Sequence, residues 1–356
     1  MLLCRYLHYN LLENEDKRPL TKEFIMADPV EELFNFYLEK GWTDGLPIIP
    51  PTAENVKMMM SGTHREPREI IGAIPPAWAE ATIERIARYA VMAGCLPEYM
   101  PVLIAAISAM CEEEFRLAFM QPTTEPIAPL LIINGPIVKK LDINAKSGAF
   151  GPGWRANATI GRAIRLILAN IGGAFPGITD MSTQGQPGKY TFCIAENEND
   201  SPWEPLSVER GFSAETSTVS VVGVENPHNI NDHDALNADE VLFTIAGTMA
   251  TLGNNHVRGL GGDAVLALGP EHAATIAKDG FSKQSVIDYL YERARVPRRA
   301  FYERAREKQH PGMPADSMIP PTIRKENLHI IVVGGPGKHS SYLPGHVSRM
   351  VTKAIQ

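Results

Sequence analysis

The chain has 356 residues, 44% of them hydrophobic and 21% charged, and carries a net charge of −7. That length builds one large domain or two ordinary ones around a sizeable core, while an acidic chain of this composition argues against nucleic-acid binding, which calls for a basic face. No stretch approaches the roughly 18 apolar residues of a membrane span, and the four scattered cysteines (Cys4, Cys95, Cys111, Cys193) form no CxxC pair, so they read as reduced thiols of a cytoplasmic protein.

Residues 1–27 read as a loose N-terminal arm, with mixed charge and none of the continuous apolar region of a signal peptide. From residue 28 onward the chain reads as one large α/β unit. Pro29 opens an amphipathic helix to Lys40, and Gly41-Trp42-Thr43-Asp44-Gly45-Leu46-Pro47 breaks it. Thr52 caps a short Met-rich helix. Residues 81–114 form a helical pair split at Cys95–Pro97, and Pro129–Gly135 is a fully buried strand ending in a turn.

A long helix is expected over 155–171, stopped by Gly172-Gly173. Strands are expected at 190–195, 217–224 and 264–268, and helices at 235–252, 270–279 and 282–295. A Pro- and charge-rich linker near 308–327 leads to the strongest strand, Leu328–Val333, and a terminal helix. Alternating strands and helices make the class α/β, a mixed sheet flanked by helices with room for two intertwined subdomains. No internal repeat is visible.

Five segments could carry chemistry. Cys95 lies at a Gly-Cys-x-Pro helix junction, where a following helix N-terminus would lower a thiol pKa from about 8.5; a buried packing cysteine is the alternative. Phe150–Arg162 is a Gly-rich loop running into a helix, so Arg155 and Asn157 fall where an anion is held. In Thr183–Glu198 the strand ends in acidic residues. There Glu196 suits acid/base work, Glu198 reads as solvated loop, and Lys189 could neutralise substrate charge. Alternation puts Cys193 on the face opposite Glu196.

Val332–Ser340 repeats the pattern of strand followed by a Gly-rich turn, with Lys338 as an anion contact and His339 as a proton shuttle beside a helix N-terminus. The cluster His228, Asp232, His233 and Asp234 matches no zinc spacing and reads as loop and helix cap, so no metal is expected. Thr43 and Asp44 contribute from the Gly-bounded loop; a plain turn residue is the alternative reading of Asp44. No segment is a fingerprint for NAD, FAD or haem.

In these stretches the chain resembles a poorly characterised bacterial family. The resemblance rests on Gly-Trp-Thr-Asp-Gly-Leu-Pro at 41–47 with Pro-Pro-Thr at 50–52, and on Val91–Val102, Gly151–Arg162, Gly188–Asn197 and Gly334–Ser340. Such proteins are encoded beside, or fused to, small cysteine or selenocysteine proteins with a UGSC motif. The resemblance therefore implies thiol or selenol chemistry in a two-component system with a small partner protein. This chain has no UGSC segment of its own.

Three functions follow as expectations. One is an oligomeric cytoplasmic enzyme using Cys95 as nucleophile or redox thiol on a small anionic substrate. Another is a lyase, hydratase or isomerase run by Glu196 and His339. The third is a non-catalytic subunit that binds a partner.

Overall fold

The computed structural model describes residues 29–356, so the arm expected over 1–27 lies outside the described residues. Helix α1 (Pro29–Glu39) sets Phe36 and Tyr37 edge-on to Trp42. Helix α2 (Ala53–Met60) starts at Thr52, whose Oγ1 accepts the Asn55 N–H at 3.2 Å. A hairpin absent from the sequence expectation follows, β1 (Ile70–Ile74) with β2 (Ala79–Thr82). Helix α3 (Ile83–Ala93) is capped by Thr82 and closed by Gly94, whose φ of 90° lies in the left-handed region. A Cβ on Gly94 would meet only ordinary contacts. Gly94→Ala is therefore expected to cost about 1–2 kcal/mol of backbone strain alone, read as a lower guanidinium midpoint at unchanged slope.

Helix α4 (Met100–Met110) and strand β3 (Ala128–Asn134) come next. Helix α5 (Arg155–Asn170) then crosses to β4 (Cys193–Ala195), which lies parallel to β3. Strand β5 (Thr218–Val224) returns antiparallel on the other side of β3. The second half begins with β6 (His228–Asn231), α6 (Ala238–Met249) and β7 (Ala264–Leu268). It continues through α7 (Pro270–Lys278) and α8 (Lys283–Arg293). A two-residue pair, β8 (Val296–Pro297) with β9 (Met318–Ile319), precedes β10 (Leu328–Val332), β11 (His339–Leu343) and β12 (Val351–Ala354).

Two four-stranded sheets result, in the orders β12-β5-β3-β4 and β10-β7-β11-β6. They share one plan. A strand, a helical crossover and a parallel partner (β3 to β4, β7 to β10) are followed by an antiparallel return beside the first strand (β5, β11). The fourth strands are exchanged: β6, which follows β5, pairs with β11, and β12, which follows β11, pairs with β5. The backbone thus contains a repeat that the residues do not show. A shared topology needs only matching apolar periods and turns, not matching side chains.

Strand alternation sorts the core. Even-numbered residues of β3 and β5, with Ile194, meet Val265, Ala267, Ile331 and Leu343 between the sheets. Odd-numbered residues such as Leu131, Ile133 and Cys193 pack on α3, α4 and α5. The outer face of the second sheet packs on α6, α7 and α8. The layers run helix, sheet, sheet, helix: an α/β fold with sheets flanked by helices.

Two expectations change. Residues 339–354 form two strands rather than a terminal helix, because Ser340 and Tyr342 fill opposite needs on a sheet, one hydrogen-bonded and one packed among α6 and β7 residues. The Pro-rich segment 308–327 is no bare linker, since Ile319 packs with Val257, Val296 and Phe301.

Candidate functional site

Cys95, Arg155, Thr43 and Asp44 come together around the first two turns of α5. The Cys95 Sγ donates to the Thr159 carbonyl at 3.3 Å, and Arg155 Nε donates to the Gly94 carbonyl at 3.0 Å. Asp44 takes Arg162 bidentately, both contacts at 2.8 Å, and the same guanidinium reaches the carbonyls of Leu46 and Pro47. Thr43 Oγ1 closes the turn onto Leu46. Burial acts on the Asp44 carboxyl first and upward, but Arg162 outweighs it and holds it below its ordinary value.

The thiol is not activated in this state. Cys95 is buried, and burial pushes its pKa up to about 12 against the weaker pull of Thr159, Arg155 and Arg162. The expected lowering fails for a local reason. The Cys95 N–H bonds to the Ala90 carbonyl, so the residue sits at the C-terminal, negative end of α3. Cys193 is likewise buried and raised, and burial pushes Cys111 up to about 11. In native protein at pH 7, Cys95, Cys111 and Cys193 should therefore resist iodoacetamide and react only on unfolding in guanidinium. Fast labelling of native Cys95, read by peptide mass spectrometry, would overturn this.

Asn157 has nothing left for an anion. Its Oδ1 accepts the Asn144 N–H at 2.7 Å, and its Nδ2 donates to the carbonyls of Asn144 and Cys193 at 3.0 and 3.1 Å. It ties α5 to β4. Lys189 bonds Asp180 at 2.8 Å and lies on the far side of α5 from Cys95, beside Arg165.

Lys338 and His339 belong to the second sheet. Lys338 Nζ donates to the carbonyls of His233 and Ala235 at 3.0 and 2.9 Å, so it caps a turn. His339 opens strand β11 rather than a helix; its Nδ1 meets Asn229 at 3.1 Å and its Nε2 meets His233 Nε2 at 3.2 Å. Among the described residues, His339 bonds to His233 and Asn229 and Glu196 to Asn134 and Leu206, so the two do not meet.

The polar cluster with the strongest demand for a partner stands at the C-terminal ends of β3 and β4, where α/β sheets place ligands. Asn134 closes β3, Thr218 is its cross-strand partner on β5, and Glu196 follows β4. All three are buried on the side between the sheets, where their even numbers put them. Lys283 reaches them from the first turn of α8. Glu196 Oε2 accepts from Asn134 Nδ2 at 2.7 Å and from the Leu206 N–H at 2.8 Å, while Lys283 Nζ stands 3.7 Å from Oε1 and 3.0 Å from Glu209. Glu198 is half-buried above, held by Asn134 Nδ2 and the Gly135 N–H, both at 2.8 Å.

Two buried atoms of this cluster, Asn134 Oδ1 and Thr218 Oγ1, have no hydrogen-bond partner, and two more, Glu196 Oε1 and Lys283 Nζ, have no hydrogen bond and only ion pairs, with each other at 3.7 Å and, for Lys283, with Glu209 at 3.0 Å. Buried polar atoms are nearly always paired, so two unpaired oxygens beside a loose ion pair single this cluster out. Burial pushes the Glu196 carboxyl above its ordinary value, although Lys283, Asn134 and the Leu206 N–H pull it down. Glu196 was legible from its strand-end position. Asn134 carried one signal, a polar residue ending an apolar parallel strand; Thr218 and Lys283 carried none. Glu198 belongs to the cluster rather than to solvated loop.

Among the described residues no helix is long and apolar enough to cross a membrane. Comparison of the chain with protein-family models, curated proteins and solved structures finds no match.

Proposed function

We propose that the chain is an acid–base enzyme of the lyase, hydratase or isomerase type, acting on a small anionic substrate at the Asn134–Glu196–Lys283 cluster. The unpaired buried atoms Asn134 Oδ1 and Thr218 Oγ1, beside the loose Glu196–Lys283 ion pair, carry this reading. A carboxyl whose pKa burial raises above its ordinary value exchanges a proton with the substrate at Oε1, giving it in one half of the reaction and taking it back in the other. Lys283 supplies the positive charge that holds an anion or a developing oxyanion. Asn134 Oδ1 accepts from a substrate hydroxyl and so orients it, while Thr218 Oγ1 can accept or donate. Glu198, which shares the Asn134 amide with Glu196, adds a nearby negative charge that pushes the Glu196 pKa further up.

The test is deuterium incorporation from D2O into a panel of small carboxylates and hydroxy acids, followed by NMR. Wild type should exchange a proton of at least one compound, Cys95→Ser should match it, and Glu196→Gln should be at least ~100-fold slower. Undiminished exchange in Glu196→Gln, or none in wild type across the panel, overturns the reading.

A thiol reading keeps one supporting observation: the charges of Arg155 and Arg162 both favour a thiolate at Cys95. It needs Cys95 to be uncovered, as docking of a small thiol or selenol protein would do. Its sign would be loss of turnover in Cys95→Ser. A cytoplasmic homo-oligomer accompanies either reading, and light scattering on the purified chain tests the assembly.

A further inference from the structure

His339 opens β11 in register with Asn231 of β6, the edge strand of the second sheet. Strand alternation puts His339 on the same face as Asn229 and Asn231, and His228 on the opposite one. Just past β6 the chain turns, and Lys338 Nζ holds that turn against β11 through the carbonyls of His233 and Ala235. His233 Nε2 comes to 3.2 Å from His339 Nε2, although 106 residues separate the two in sequence. The tautomer of His339 is set by its other nitrogen. The amide oxygen of Asn229 can only accept, so Nδ1, 3.1 Å away, donates and the neutral ring keeps its lone pair on Nε2, facing His233. The ring centroids are 5.0 Å apart with the planes at 76°, closer than two rings set head-on across the same gap, so the nitrogens meet at an angle. Two nitrogens on one tetrahedral ion of the zinc class, about 2.0–2.1 Å from it, stand about 3.3–3.4 Å apart. The observed pair is already near that spacing, and both residues are exposed, so an ion reaches them from solvent.

We infer that His233 and His339 chelate one divalent transition ion through their Nε2 atoms. Imidazole selects nickel, copper and zinc over magnesium and calcium, which take oxygen. Neighbouring groups are already spent: the Asp232 carboxylate on the Ala235 N–H and Thr244 Oγ1, and the His272 ring on Ser340 and the Asp232 carbonyl. Among the described residues no group of three His, Cys, Asp or Glu side chains forms a metal set, so water fills the remaining positions. Binding exchanges the Nε2–H···Nε2 contact for two metal–nitrogen bonds, and the proton of that contact moves to His233 Nδ1. The spacing within 228–234 gave no such site because one of its two ligands comes from β11. The site is independent of the acid–base cluster, so its failure and that of the proposed function are separate.

Calorimetric titration of the whole chain with Ni2+ and with Mg2+ decides it, together with long-range 1H–15N spectra of the histidine rings during Zn2+ addition. Ni2+ should bind saturably and Mg2+ should not, and Zn2+ should shift the Nε2 signals of His233 and His339 together. His233→Ala and His339→Ala should each weaken Ni2+ binding at least ~10-fold, since either leaves a single ligand. His228→Ala, on the opposite face of the sheet, should leave it unchanged. If a variant does not fold, the wild-type spectra decide alone. Absence of saturable Ni2+ binding, full affinity in both folded variants, or Zn2+ shifts confined to other histidines overturns the inference.

Discussion

Asp263→Ala should destabilise the protein by about 3–5 kcal/mol, the cost of stranding buried charges. Asp263 sits just before β7 and is 4% exposed. Its carboxylate accepts from Asn327 Nδ2 at 2.9 Å, His329 Nε2 at 3.0 Å, Arg349 Nη1 at 2.8 Å and the Met350 N–H at 2.8 Å. Those donors come from the run into β10, from β10 itself and from the segment that carries the chain across to β12. The residue therefore fastens the crossing between the two sheets, and its loss leaves four donors facing empty space. Guanidinium unfolding measures it; a loss under about 1 kcal/mol would show that the crossing is held elsewhere.

The same residue sets an acid limit. Burial acts on its pKa first and upward, but His329, the Met350 N–H and Arg349 hold it down to about 2. A folded-state value below the unfolded one gives stability that is present above about pH 4 and lost as pH falls towards about 2, about 2 kcal/mol in all. His256 loses stability earlier. Burial keeps its imidazole neutral, with a pKa lowered to about 4, so its contribution is whole above the ordinary histidine value and declines between about pH 6.5 and 4. Acid unfolding should accordingly begin below neutrality, and His256→Gln should remove the upper part of the slope while leaving the lower part.

Glu196→Gln should separate activity from stability. A carboxyl with a raised pKa is destabilised in its charged form, so an isosteric amide removes that burden and keeps a polar group for Asn134 and Leu206. Thermal stability should be unchanged or higher, while proton exchange falls at least ~100-fold, equivalent to nearly 3 kcal/mol of barrier. That pairing of signs belongs to a functional site. A structural carboxylate would give the opposite: a destabilised variant with exchange intact. Lys283→Met sharpens the contrast, since it removes the charge 3.7 Å from Glu196 and should push the carboxyl pKa further up.

Local signals predicted local structure well. Thr52 and Ser282 cap helices where capping residues stand, Gly94 ends α3, and the apolar runs of β3, β5, β7 and β10 are strands because each is buried on both faces. Alternation placed Cys193 and Glu196 on opposite sides of β4, as their packing shows. What it could not supply was the partner. β6 is mostly polar and exposed, and β12 is four residues long; each is a strand only because an exchanged neighbour offers it a free edge. The β1–β2 hairpin depends on the same kind of pairing.

The candidate site divides along the same line. Residue type and position singled out Glu196 as a strand-end carboxylate, and brought Asp44 and Arg155 into view. Whether a group is charged, spent or free depends on neighbours distant in sequence. Cys95 is quenched by burial, and Asn157 is consumed by Asn144 and by Cys193, 36 residues away. Lys283, 87 residues beyond Glu196 (283 − 196), reaches it only when α8 folds over the seam between the sheets. Helix caps, strand periods and turns are short-range properties, encoded within a few residues of where they act. Burial, strand exchange and the meeting of charges are sums over the whole packed chain, and only the tertiary structure decides them.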